Sequence, residues 1–280
     1  MKGHEEQYEE DRKKDLHFSA VREDVVDGHV CKWLKVEREG DEPVPCLLVH
    51  KTPAPSGKLM LFLHGLDGRK EDALDLKPVV DPLGFSTLAI DARRHGERKA
   101  DMSKLSPTDI LAGFSQTIVD NRLALDIALQ QGWALPGKAV LVGVSMGGIL
   151  GGVVAGVDDR IAGAALLVPG GDLAGILGKS QHPMVAQFRG RIPGFVFRAI
   201  GGQLASVDPI NYVDKIAPRP LLIQLGKHDT FVPFENGMKL FQKAKEPKDL
   251  VVHDSGHELP VDRAAAETVN WIAKRLPDLA

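Results

Sequence analysis

The run Val140-Leu-Val-Gly-Val-Ser-Met-Gly-Gly148 constrains this chain more than any other stretch. Apolar residues up to Val144 predict a buried strand, and the Gly-rich apolar segment after Ser145 predicts a helix. A strand that turns into a helix over so few residues forces Ser145 into a cramped backbone conformation. Only glycine at the flanking positions leaves room for the neighbouring main chain. Such a turn lifts the serine hydroxyl to the end of the sheet, at the positive end of the following helix. Gly143-Val144-Ser145-Met146-Gly147 therefore reads as a nucleophile turn, and the alternative is a tight structural turn without chemistry.

A serine hydroxyl is a poor nucleophile until a base takes its proton, so the reading demands a histidine and an acid further along. Residues 221–225 predict a buried strand, with Lys227-His228-Asp229-Thr230-Phe231-Val232-Pro233 at its end. Residues 250–253 predict another, followed by Asp254-Ser255-Gly256-His257. If the strands are parallel, Asp229 and His257 leave the same edge of the sheet as Ser145. Asp254 is a competing acid, but a carboxylate three residues away in a tight loop rarely reaches the far nitrogen of the histidine. His228 and His95 read as loop residues. The chain order Ser, Asp, His differs from the chymotrypsin and subtilisin orders.

Two further signals join these. Leu61-Phe-Leu-His64-Gly65-Leu66-Asp67 is a strand ending in His-Gly, and Asp91-Ala-Arg-Arg-His95-Gly96 follows the next strand. With them the chain resembles the α/β-hydrolases over roughly residues 40 to 276. The Asp-x-Arg-x-His-Gly loop is similar to that of the acyl-peptidase, dienelactone-hydrolase and acetyl-esterase branch. A serine at position 145, where dienelactone hydrolases carry cysteine, argues against that activity. The resemblance implies an α/β fold with a mostly parallel twisted sheet, helices on both faces and a small helical cap. It also implies a catalytic Ser145, Asp229 and His257, with oxyanion donors at the backbone N–H groups of Met146 and Leu66. His64 would brace the oxyanion loop, and Pro233 would be the proline after the acid.

Composition agrees with such a fold. A 43% hydrophobic and 26% charged chain of 280 residues suits one large domain, here 16–280 behind a charged segment 1–15. A net charge of −3 leaves no basic footprint for nucleic acid. No apolar run reaches membrane-spanning length, and the start has no signal-peptide core, so a cytoplasmic location is expected. Cys31 and Cys46 read as two buried thiols rather than a bridge. His253 and His257 share a Gly-containing loop rather than a helix face, so no metal site is expected, and no cofactor.

Residues 30–37 and 44–49 alternate and predict a hairpin. Strands are predicted at 59–63, 86–90, 139–144, 163–168, 221–225 and 250–253. Helices are predicted at 71–80, 110–131, 146–156, 234–244 and 261–276, the alternation that marks βαβ units. After residue 171 the rhythm breaks for about forty residues, too long for a structureless loop. This insertion, about 172–207, predicts a small helical cap over 172–201, and Phe188, Phe195 and Phe197 are candidate substrate contacts. The alternative is a pair of packing helices that touch no substrate.

The expected function is a serine carboxylesterase for short- to medium-chain esters, its partner a small-molecule ester, with a homo-oligomer left open. The alternatives are an acyl-peptide or aminopeptidase-type serine peptidase and a non-catalytic binding protein of the same fold.

Overall fold

The computed structural model describes residues 16–51, 54–101, 104–191 and 201–280. Among these, nine strands form one sheet: β1 (Leu16–Val26), β2 (His29–Arg38), β3 (Val44–Lys51), β4 (Gly57–Leu63), β5 (Ser86–Ile90), β6 (Ala134–Val144), β7 (Ile161–Leu167), β8 (Leu221–Gly226) and β9 (Lys248–His253). Their order is β1-β2-β3-β5-β4-β6-β7-β8-β9. The first three and β5 pair antiparallel, and every pair from β5–β4 to β8–β9 is parallel.

Parallel strands carry crossover helices on both faces, so their side chains are apolar in both directions. Along β4, Leu59, Leu61 and Leu63 enter one core cluster while Met60 and Phe62 enter another. The first cluster holds side chains of α2 (Pro107–Gln130), α3 (Met146–Val157) and α7 (Phe234–Lys243); the second holds those of α1 (Lys77–Leu83) and α8 (Val261–Arg275). Among the described residues, three further helices lie between β7 and β8: α4 (Leu173–Lys179), α5 (Pro183–Arg191) and α6 (Gly201–Val207).

The neck of this insertion is closed by one carboxylate. Asp208 accepts hydrogen bonds from the amides of Asp172 at 3.2 Å, Leu173 at 2.7 Å and Ile210 at 3.1 Å. Burial pushes its carboxyl above the usual carboxylate range. Within the insertion, the Arg189 guanidinium donates to the carbonyls of Leu177, Gly178 and Ser180, which end α4. At the far end of α3, Arg219 donates to the carbonyls of Ala155, Asp158, Ile161, Lys215 and Ile216.

Several expectations need correction. The helix expected at 71–80 is a 3₁₀ turn, Lys70–Leu76, followed by α1. Pro78 has no N–H to give a carbonyl one turn back, which favours its place in the first turn of a new helix, where that N–H is unpaired in any case. Strand β1 was not expected; only Leu16, Phe18 and Ala20 alternate with polar residues, and the rest of this edge strand is mostly exposed. Strand β6 begins at Ala134 rather than 139, and α2 begins at Pro107 behind a Ser106 capping box. Cys31 and Cys46 are buried and free, and each faces a different partner in the β2–β3 register, Val49 and Leu34 respectively. Among the described residues no helix is long and apolar enough to cross a membrane.

Candidate active site

Ser145 sits between β6 and α3 at φ 56° and ψ −117°, a left-side conformation that costs a non-glycine residue roughly 1–3 kcal/mol. The flanking glycines explain how the chain holds it. A Cβ on Gly143 would lie 2.3 Å from the Gly147 carbonyl oxygen, and one on Gly147 would lie 2.0 Å from that of Leu63. The Ser145 turn is thus pressed between its own helix and the end of β4. The Ser145 N–H is bonded to the Leu167 carbonyl at 2.9 Å, which anchors the turn to the neighbouring strand.

Asp229 follows β8 and His257 follows β9, and the two loops are zipped together. Lys227 donates its amide to His253 at 2.9 Å and His228 donates to Ser255 at 2.8 Å. The structure brings Ser145, His257 and Asp229 into one hydrogen-bonded chain. His257 Nδ1 lies 2.7 Å from Asp229 Oδ2, and Nε2 lies 2.8 Å from Ser145 Oγ. An ionised carboxylate only accepts, so Nδ1 carries the proton and Nε2 is free to accept the serine hydroxyl. Asp229 is 7% exposed, and its other oxygen accepts from the amides of Phe231 at 2.8 Å and Val232 at 3.0 Å. Asp254 lies apart from this chain, 2.9 Å from His228 Nε2 with both side chains exposed.

Met146 follows the serine directly, and Leu66 lines the same cavity next to Gly65, on which an added Cβ would lie 3.5 Å from Ser145 Cβ. Met146 opens α3, so its N–H has no carbonyl one turn back. The carbonyl of Gly65 accepts from Gly68 N at 3.1 Å and from His64 Nδ1 at 2.8 Å. In a trans peptide the N–H of Leu66 points opposite to that carbonyl. His64 is itself fixed, because its Nε2 accepts from the amide of Ala92 at 3.1 Å. Both ring nitrogens are therefore assigned, the imidazole is neutral, and burial holds its pKa below the ordinary histidine value.

The Asp91 loop is structural. Asp91 is fully buried and accepts from Lys70 N and Nζ and from the amide of Glu97. Arg93 bonds Asp41 and Asp120, and Arg98 bonds Asp120. His95 bonds the Arg93 carbonyl, and His253 bonds Gln224 Oε1 at 2.8 Å. Among the described residues no group of three or more His, Cys, Asp or Glu is arranged to hold a metal ion.

Ser145, His257, Leu66 and Met146 open onto a cavity of about 360 Å³. One wall is the insertion, including Leu173, Ile176, Met184 and Phe188; Phe195 and Phe197 lie outside the described residues. The opposite wall is the first two turns of α2, with Ile110, Leu111 and Phe114. In sequence both Leu111 and Phe114 fall within the predicted helix 110–131, where nothing marks them as a cavity wall. Phe231 also lines the cavity and was missed. The available signal was a large apolar side chain two positions after the acid, in a loop otherwise rich in polar residues.

A mostly parallel sheet with helices on both faces, bearing a serine, an acid and a histidine at its strand ends, defines an α/β hydrolase. The model of the Alpha/beta hydrolase family matches residues 60–271, and the chain belongs to that family. It is 26% identical over 226 residues to YitV, a candidate esterase of Bacillus subtilis (strain 168), covering 76% of this chain and 87% of that one. It is 29% identical over 200 residues to the acylamino-acid-releasing enzyme of Arabidopsis thaliana, covering 68% of this chain but only 25% of that enzyme. Among solved structures, the acetyl xylan esterase from Paenibacillus sp. R4 superimposes with a TM-score of 0.78 at 19% identity, covering 97% of this chain and 92% of that one.

Proposed function

We propose that the protein is a serine hydrolase that cleaves short- to medium-chain carboxylic esters through an acyl-enzyme. The observation that carries this reading is the Ser145–His257–Asp229 chain opening onto an apolar cavity of about 360 Å³. His257 takes the Ser145 proton as Oγ attacks the ester carbonyl, then gives it to the leaving alcohol. Water repeats the cycle and releases the acid. Asp229 keeps the imidazole in the required tautomer. The N–H groups of Leu66 and Met146 receive the oxyanion, each worth about 3–4 kcal/mol to the transition state.

The insertion is a cap in this reading, because its apolar side chains face the site. Among the described residues, no aspartate, glutamate, lysine or arginine lines the cavity. Such a wall suits an uncharged acyl group, and the volume sits near the lower end of ordinary ligand pockets, roughly 300–1,000 Å³. The esterase names of YitV and of the Paenibacillus structure point the same way.

An acyl-peptide hydrolase is the second reading, favoured by the likeness to the Arabidopsis enzyme. Two assays decide. A fluorophosphonate should label Ser145 and no other serine, and p-nitrophenyl esters should be cleaved far faster than aminoacyl anilides. Labelling at another residue overturns the site assignment, and faster anilide cleavage overturns the ester reading.

A further inference from the structure

Phe231 touches two members of the candidate triad in different ways. Its amide donates to Asp229 Oδ1 at 2.8 Å, while its ring centroid lies 5.2 Å from that of the His257 imidazole, tilted by 46°. The same ring meets His182 of the insertion at 4.9 Å in a T-shaped contact. The main chain of one residue therefore holds the acid while its side chain packs on the base.

The chemistry gives that contact a consequence. When Ser145 attacks, its O–H bond breaks, a bond forms from Oγ to the carbonyl carbon, and the carbonyl π pair moves onto oxygen. The proton goes to Nε2, and the imidazole becomes a cation. The His257 side chain is only 18% exposed, so water screens that charge poorly. An aromatic ring attracts a cation lying over its face within about 6 Å through its quadrupole, whereas the ring edge has the opposite sign.

We propose that Phe231 is a positioning residue that acts through His257, its ring stabilising the imidazolium that forms as Ser145 attacks. The proposal rests on the triad reading above. Other titratable groups near the imidazole are Asp229 at Nδ1, His182 across the Phe231 ring, and His228 on the acid loop. On its own loop Asp254 and Glu258 are exposed, and Asp254 is taken up by His228. Of these, His182 alone packs its ring on that of Phe231.

The test compares pH–rate profiles for a p-nitrophenyl ester in the wild type and in Phe231→Leu, Phe231→Tyr and Phe231→Trp. Leucine keeps the amide and much of the bulk but has no quadrupole. Phe231→Leu should move the acid limb about half a pH unit toward lower pH and lower kcat three- to tenfold, with a smaller change in KM. Phe231→Tyr should track the wild type, and Phe231→Trp, with the strongest quadrupole, should move the limb toward higher pH. An acid limb in Phe231→Leu that coincides with the wild type overturns the proposal. If Phe231→Leu does not fold, the tryptophan variant decides: a limb at or below that of the wild type overturns the proposal. A wild type without any acid limb counts instead against His257 as the base.

Discussion

The backbone N–H of Gln181 meets the carbonyl of Thr230 at 2.8 Å, so the segment between α4 and α5 rests directly on the loop that carries Asp229. The insertion is thereby registered to the acid rather than merely draped over the sheet. With His182 on Phe231 and Phe231 on His257, a continuous line of contacts runs from the insertion to the base.

Ser145→Ala should lower turnover by about 10⁴–10⁶-fold while the far-UV circular dichroism stays native. Asp229→Asn should cost somewhat less. Asp254→Asn should change turnover little, since that side chain meets His228 and, among the described residues, neither Ser145, Asp229 nor His257. A crippled Asp254→Asn beside a mild Asp229→Asn would reverse the acid assignment.

Exchanging the cavity walls should move the acyl-chain profile. Phe188→Ala on the insertion and Phe114→Ala on α2 both enlarge the cavity, and each should shift the preferred p-nitrophenyl ester toward longer chains. Long triglycerides should be poor substrates of the wild type. If both variants keep the wild-type chain-length profile and rate, the insertion is packing and not a cap.

Stability should fall on mild acidification. Burial holds the pKa values of His64 and His253 below the ordinary histidine value. The unfolded chain therefore takes up protons before the folded one, and folding loses ground as pH drops below about 6.5. Above that value both states are neutral at these positions and the contribution is complete. Thermal melts between pH 7.5 and 5 should show a falling Tm, with a shallower slope in His253→Asn. A Tm that rises over this window contradicts the sign.

Removing the guanidinium of Arg219 should destabilise the fold more than it impairs the chemistry. Arg219→Ala strips five carbonyl oxygens of a charged donor, among them Ala155 in the last turn of α3. A loss of about 2–4 kcal/mol in urea unfolding is expected. The folded fraction should keep near-native kcat, because the site lies at the other end of α3.

What could be read from the chain followed the strength of its local constraints. The Ser145 turn was legible because two glycines are required there by main-chain approaches near 2 Å, and such requirements leave a mark in sequence. The parallel strands were legible because burial on both faces makes them continuous apolar runs. β1 was not, since an exposed edge strand is held by its partner's hydrogen bonds and needs no apolar pattern. The helix expected at 71–80 failed on Pro78, a local fact outweighed by the apolar periodicity around it. Phe231 and the α2 wall were missed for a different reason: their roles come from which loops and helices meet, and no single segment encodes that.

Asp208 gathers the first and last turns of the insertion onto one carboxylate. The helices between can then be viewed as a cassette whose two ends are clipped together by one side chain. Their length and side chains are free to vary as long as the clip and the Gln181–Thr230 seat persist. A change of acyl preference therefore requires no rebuilding of the sheet, the serine turn or the acid and histidine loops, only a different lining sewn into the same opening.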